Sequence, residues 1–382
     1  MNSSMNSKEK GTGMPDRLMV LYQKNPCYEI VFSASFDELW EELEKLGCAD
    51  RQLCIVTDSK VDEYYGDTAL KLLEGKCRRA FKYVFAEGEE SKNLDTVKEI
   101  YKFLIEKGFE RGDMLLALGG GVTGDITGYT AATYLRGIDY VQLPTSLLAQ
   151  ADSSIGGKTG VDFDGYKNMV GAFKMPRLVY VNLAALQTLG DRQYFSGFAE
   201  IMKHGLIKDT GFYEWLIENM YEICERDLDV LKEMLLRSCM IKKQVVEKDP
   251  TEQGDRALLN FGHTIGHAIE KAKNFELFHG ECVALGAVAA AYISWKRELL
   301  SMEEYYEIRD MFVPFYLPIS VDGIAPQEIV ELTKSDKKMQ GGKIKFVLLK
   351  KIGKAFIDST VTEEEILAAV REIHFSEEDA HA

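Results

Sequence analysis

The sequence has no C-x-x-C pair among its seven cysteines, no apolar run of membrane-spanning length, no internal repeat and no surplus of positive charge. Each absence excludes something. Cys27, Cys48, Cys54, Cys77, Cys224, Cys239 and Cys282 are scattered and odd in number. That argues against a disulfide framework and a cysteine zinc knot, and for a reducing compartment. The opening segment MNSSMNSKEKGTGMPDR is polar and lacks the apolar centre of a signal peptide, so residues 1–17 are expected to be a disordered lead-in. Without a stretch of about 20 apolar residues, the expected location is cytoplasmic. Lys and Arg number 46 against 61 Asp and Glu, a net charge of −15, which sets aside nucleic acid and membrane as main partners. Against that acidic background, a pocket where basic residues converge implies a small anionic substrate.

What is present points to two domains. The chain has 382 residues, 46% of them hydrophobic, enough for a large core and long for a single one. Short β-rich runs, at 28–33, 53–57, 80–86, 114–119 and 140–144, alternate with helical patterns near 36–46, 60–74, 93–107 and 122–134. This alternation predicts a mostly parallel sheet covered on both faces, an α/β domain over 18–187. From Gly190 to about Leu317 the apolar residues recur at helical spacing, which predicts a mainly α-helical domain over 188–375. Within it KIKFVLLKKIGKAFI (343–357) reads as a hairpin, and 376–382 as a frayed tail.

After the apolar run MLLAL comes GGGVTGDITG, with a G-x-G-x-x-G match at Gly119, Gly121 and Gly124. Strand, glycine turn and helix is the context in which backbone N–H groups cradle a pyrophosphate at a helix N-terminus. The usual ribose-binding acid after the next strand is missing, and a tight turn with close helix–strand packing explains the glycines equally well. Asp58, at the end of LCIVT, is better placed for a nucleotide hydroxyl, although a helix N-cap is the plainer role.

Four of the six histidines, His204, His263, His267 and His279, fall within one quarter of the chain. His263 and His267 are i, i+4 on one helix face, a spacing that suits two ligands of one zinc ion. Glu200, on a largely apolar helix, needs a partner that a metal would supply. A lone histidine is more often a core or surface side chain, and periodicity does not select which three residues bind. Segment 145–173 reads as a glycine-rich loop carrying Lys158, Lys167 and Asn168; Lys203, Lys242 and Arg256 lie in helical patterns; SDKKMQGGK adds Lys337 and Lys338. Singly these are commonly solvated charges. Together, beside the histidines, they suggest an anion pocket.

GEESKNLDT, GGGVTGDITGYTAATYLRG, VQLPTSLLAQADSSIGGKTGVD, KNMVGAF, GFAEIMKHG, LLNFGHTIGHAIE, FHGE and DKKMQGGKIKFVLLKKIG, in that order from about residue 50 to 358, closely resemble the 3-dehydroquinate synthases of the sugar phosphate cyclase superfamily. The resemblance implies an NAD-binding α/β domain, a helical metal domain, a bound NAD and one Zn2+ or Co2+. It places metal ligands on Glu200, His263 and His279, which turns His267 from ligand to substrate contact. Substrate contacts fall on Asp152, Lys158, Lys167, Asn168, Lys203, Lys242, Arg256, Asn260, His267 and one or both of Lys337 and Lys338. Lys158, Lys203, Lys242, Arg256, Asn260 and His267 carry the catalytic roles. Arg136 would reach the neighbouring subunit's site in a homodimer. NAD contacts fall on Asp58, Glu89, Lys92, Gly120, Gly121, Val122, Asp125, Thr145, Ser146 and Thr188. One departure is visible: Lys60 stands where the family often has Asn.

The implied reaction turns 3-deoxy-D-arabino-heptulosonate 7-phosphate into 3-dehydroquinate and phosphate, within the shikimate pathway. The nearest rivals are sibling cyclases making 2-deoxy-scyllo-inosose or 2-epi-5-epi-valiolone, whose substrates lack a carboxylate. The other rival is a metal-dependent alcohol dehydrogenase of the glycerol dehydrogenase type, which would accumulate NADH.

Overall fold

The runs QLCIVTD, MLLALG, DYVQLP and LVYVN show no polar–apolar alternation, and each forms a strand buried on both faces. That is the pattern of a central parallel sheet with helices above and below. The computed structural model describes residues 15–252, 254–339 and 344–375, the side chains of 335–339 excepted. Its main sheet contains β1 (Arg17–Tyr22), β2 (Asn25–Ser33), β3 (Gln52–Asp58), β4 (Arg79–Phe85), β5 (Met114–Gly119) and β6 (Asp139–Pro144). A separate hairpin, β7 (Lys158–Phe163) and β8 (Tyr166–Phe173), follows before β9 (Leu178–Asn182) returns to the sheet. The order is β1-β2-β9-β6-β5-β3-β4, parallel apart from the β1–β2 edge. Helices α1 (Leu39–Lys45), α2 (Ser59–Val61), α3 (Asp67–Leu73), α4 (Leu94–Glu106) and α5 (Gly121–Thr133) connect these strands.

From β3 the chain crosses outward to β4, and from β5 it crosses the other way to β6. Neighbouring strands whose connections leave in opposite directions open a crevice at their carboxyl ends, where such sheets bind ligands. Asp58 ends β3 and Gly119 ends β5, so both stand at that crevice.

Two sequence expectations need correction here. Arg17 belongs to β1 rather than to a lead-in: it pairs with Glu29 and Glu42, each at 2.9 Å. Residues 158–173 form a hairpin rather than a loop. Its turn is Asp164-Gly165, both with positive φ (49° and 79°), the two-residue turn that matches strand twist. Two glycines conceal the strands. Gly160 and Gly171 face each other across the pair, where a Cβ on Gly171 would sit 2.4 Å from the Thr159 carbonyl oxygen.

The second half is helical: α6 (Asp191–Lys208), α7 (Thr210–Glu218), α8 (Met220–Cys224), α9 (Leu228–Lys248), α10 (His263–Ala272), α11 (His279–Lys296), α12 (Met302–Asp310), α13 (Pro326–Met339) and α14 (Glu363–Glu372). The expected hairpin is present as β10 (Phe346–Lys351) and β11 (Lys354–Asp358). One hydrophobic core joins the halves, running from Val20, Ile30 and Val179 into Phe198, Leu235 and Leu285. No described helix is long and apolar enough to cross a membrane. The tail 376–382 and most of the lead-in lie outside the described residues.

Candidate active site

Small residues set the spacing of the helices that carry the histidines. Gly262, with φ of 80°, turns the chain into α10, and its carbonyl oxygen lies 1.8 Å from where a Cβ on Gly286 would be. Gly266 abuts the Cys282 carbonyl, and a Cβ on Gly280 would lie 1.7 Å from the Ser196 carbonyl oxygen. No residue but glycine permits these approaches. They bring α10, α11 and α6 close enough for His263, His279 and Glu200 to meet.

Glu200 Oε1 lies 3.3 Å from His279 Nε2 and 3.5 Å from His263 Nε2. Ligands held at roughly 2.0–2.1 Å in a tetrahedral shell stand about 3.3 Å apart, so the spacing fits a zinc-sized ion. Two imidazoles and one carboxylate also leave an open position, as catalytic zinc sites do. Burial holds the His263 imidazole well below its ordinary pKa, with Lys203 adding to the effect, so its ring is neutral and ready to bind. Burial also lowers His279, but Glu200 and Glu270 outweigh it and push the group up to about 9. A metal entering the site would displace that proton.

Each of four lysines of the expected substrate set is matched by a carboxylate. Lys203 pairs with Glu200, Lys158 with Glu252, Lys242 with Asp152 at 2.5 Å, and Lys167 with Glu270 at 2.8 Å. Lys203 and Lys242 are almost fully buried, and charges so placed require partners. Burial would raise the Asp152 carboxyl, yet Lys242 and His204 hold it well below the usual range. Asn260 donates to Glu252 at 3.2 Å, which places it beside Lys158. Arg256, also buried, donates to the Pro250 carbonyl at 2.7 Å and approaches that of Gly156 at 3.4 Å. His267 stacks edge-on against His263, ring centres 5.1 Å apart. His204 is buried behind the site, with Nδ1 2.8 Å from Ser238 Oγ.

Glu252 and Glu270 escaped the sequence reading. Glu270 had a signal, since it follows His263 and His267 by seven and three residues on the same face of α10. Its Oε2 is 3.9 Å from His279 Nδ1. With His267 and His279 it forms a second cluster of candidate metal-binding atoms. Glu252, in an irregular segment, left no periodic signal.

The expected NAD residues surround the crevice at β3 and β5. Gly120 and Gly121 open α5 with no side-chain cap, so the first N–H groups of the helix are available to a phosphate. A Cβ would fill that space: on Gly121 it would lie 3.1 Å from Ser153 Oγ, and on Gly120 3.4 Å from Ser146 Oγ. The glycines also serve packing, for a Cβ on Gly124 would strike Gln142. Asp58 does cap α2, accepting from the Lys60 and Val61 amides, while its other oxygen accepts from Thr123 Oγ1 at 3.1 Å. Val122 follows the glycines, and the Thr145 amide donates to the Gly119 carbonyl. Thr188 Oγ1 is 2.5 Å from Tyr65 Oη. Lys92 is buried, 2.8 Å from Asp125, 3.8 Å from Glu89 and 2.7 Å from Asn168 Oδ1, and so links the nucleotide and substrate sets. Lys60 pairs instead with Glu63 at 2.9 Å.

Arg136 stands apart, exposed and with φ of 70°. The side chains of Lys337 and Lys338 lie outside the described residues.

Residues 82–196 match the model for the 3-dehydroquinate synthase N-terminal region and residues 197–339 that for the C-terminal region. A 3-dehydroquinate synthase of Acetivibrio thermocellus is 43% identical over 90% of this chain and 95% of its own. Among solved structures, 2-epi-5-epi-valiolone synthase from Streptomyces hygroscopicus subsp. jinggangensis, with NAD+ and Zn2+ bound, superposes with a TM-score of 0.84. It is 28% identical, over 93% of this chain and 99% of that one. A 2-deoxy-scyllo-inosose synthase complexed with carbaglucose-6-phosphate, NAD+ and Co2+ superposes with a TM-score of 0.83 at 25% identity, over the same shares.

Proposed function

The chain belongs to the 3-dehydroquinate synthase family, and from that membership we propose which of its residues perform the family's reaction. The reaction converts 3-deoxy-D-arabino-heptulosonate 7-phosphate to 3-dehydroquinate and phosphate. It proceeds by transient oxidation, phosphate elimination, re-reduction and intramolecular aldol closure. The observation that carries the assignment is the cluster of Glu200, His263 and His279 ringed by paired lysines. Identity near 43% to a dehydroquinate synthase, against 25–28% to the sibling cyclases, favours the substrate that bears a carboxylate.

Glu200, His263 and His279 would hold the zinc or cobalt, and the crevice residues from Asp58 to Thr188 the NAD. When bound, the metal supplies a Lewis acid that acidifies a substrate hydroxyl, and NAD a hydride acceptor restored within each turnover. Arg256 and Lys242 would take the substrate carboxylate, Arg256 with two donors of its planar fork. Lys158, Lys167, Asn168, Asn260 and His267, with one or both of Lys337 and Lys338, would hold the phosphate. Because Lys158, Lys167, Lys203 and Lys242 each already face a carboxylate, anion binding would exchange partners rather than expose new charge. Asp152 would fix Lys242 and accept from a substrate hydroxyl. Such a site holds one conformer of the open chain for ring closure.

We further propose a homodimer in the cytoplasm. The exposed left-handed Arg136, beside the exposed Leu135, would enter the partner copy's site. The seven unpaired cysteines suit a reducing compartment.

The test is phosphate release from the heptulosonate phosphate by the metal-loaded protein. Release should require NAD, stop with a chelator and return with zinc; chelator-resistant turnover would overturn the reading. Run across a dilution series, the same assay should lose activity per chain as dimers part. Constant activity in demonstrated monomers would remove Arg136 from the site.

A further inference from the structure

One face of α6 grips the segment that carries His279. Arg192, Ser196 and Glu200 are spaced by four, so they stack along a single side of the helix. Glu200 meets His279 itself, and Ser196 Oγ accepts from the Gly280 amide at 3.0 Å. Arg192 forks onto Glu281, Nε to Oε1 at 2.6 Å and Nη2 to Oε2 at 2.8 Å. It also donates to the Glu276 carbonyl at 3.1 Å and stacks on the Phe278 ring at 4.3 Å. Glu281 accepts in turn from the Phe278 amide at 2.8 Å, which closes the first turn of α11. His279 lies between these anchors as the first residue of that helix.

We propose that Arg192 is a positioning residue for the metal centre, holding 276–281 against α6 through Glu281 so that His279 stays within bonding reach of an ion on Glu200. The inference rests on the ligand assignment above. Arg192 and Glu281 border a recess shared with Phe195, Cys224 and Tyr316, and no residue lining it belongs to the substrate, nucleotide or metal sets. Substitution there removes no substrate contact. The clamp acts as outer-sphere partners of metal ligands do, fixing orientation before the metal arrives.

The test is zinc affinity, measured by competition of metal-free protein with a chromophoric chelator, with thermal unfolding of each metal-free variant in parallel. Arg192→Ala should weaken zinc binding by about tenfold. Arg192→Lys, which keeps the charge but not the fork, should fall between it and the parent. Arg237→Ala, which breaks an ion pair on α9, should leave affinity unchanged. Arg192→Ala that binds zinc as the parent does, or a loss matched by Arg237→Ala, would overturn the proposal. His279→Ala separates the two layers: stoichiometric zinc retained there refutes the ligand assignment itself, whereas zinc lost there but held by Arg192→Ala refutes only the clamp.

Discussion

At Asp152 burial and pairing act in opposite directions. Removal from water disfavours its charge, and Lys242 and His204 restore it with a margin, so the carboxyl titrates well below its ordinary range. A depressed folded value means stability that is present above the unfolded value, about 4, and lost as the pH falls through the folded one. Asp152→Asn would leave the buried Lys242 ammonium without its counter-charge, a loss of about 3 kcal/mol at pH 7. Denaturant unfolding of parent and variant should show that gap narrowing below about pH 4; an equal gap at both pH values contradicts the pairing. In the sequence the lysines stood out by their placement in a glycine-rich loop and in helical patterns, and Asp152 through the family resemblance, but their partners did not. Lys158 and Glu252 are 94 residues apart and Lys167 and Glu270 103, and no local pattern encodes pairs so distant. Helical spacing offered His267 as a ligand on equal terms with His263, and only the family resemblance assigns them different roles.

Among the elements, periodicity worked where faces are uniform and failed where glycine intervenes. Strands β3, β5 and β6 and helices α4 and α5 lie within two residues of their expected places, because continuous apolar runs and 3.6-residue stripes report burial directly. The β7–β8 hairpin was concealed by glycines that serve close backbone approach, although Asp164-Gly165 marked its turn. Glycine also fixes the helices that carry His263 and His279, and this gives a test at their scale. A methyl group on Gly286 would lie 1.8 Å from the Gly262 carbonyl oxygen and force α10 from α11. Gly286→Ala should therefore destabilise by roughly 3 kcal/mol and release zinc at the same time, as thermal unfolding and metal analysis would record. A variant with parental Tm and full zinc would mean that the seam is not what spaces His263 and His279.

For the whole molecule, the sheet contributes a crevice at the β3–β5 switch point and the helical half contributes the charged cluster, with one continuous core behind both. On the proposed assignment, NAD in the crevice would accept and return the hydride while the charged cluster keeps the substrate bound as phosphate leaves. A dehydrogenase would let the reduced product and cofactor part. The difference is a stoichiometry. With the heptulosonate phosphate, NAD and zinc present, phosphate and NADH should be followed together in one reaction. The cyclase account predicts one phosphate for each substrate consumed, with NADH never exceeding the concentration of enzyme. NADH rising in step with substrate loss, without phosphate, would contradict it.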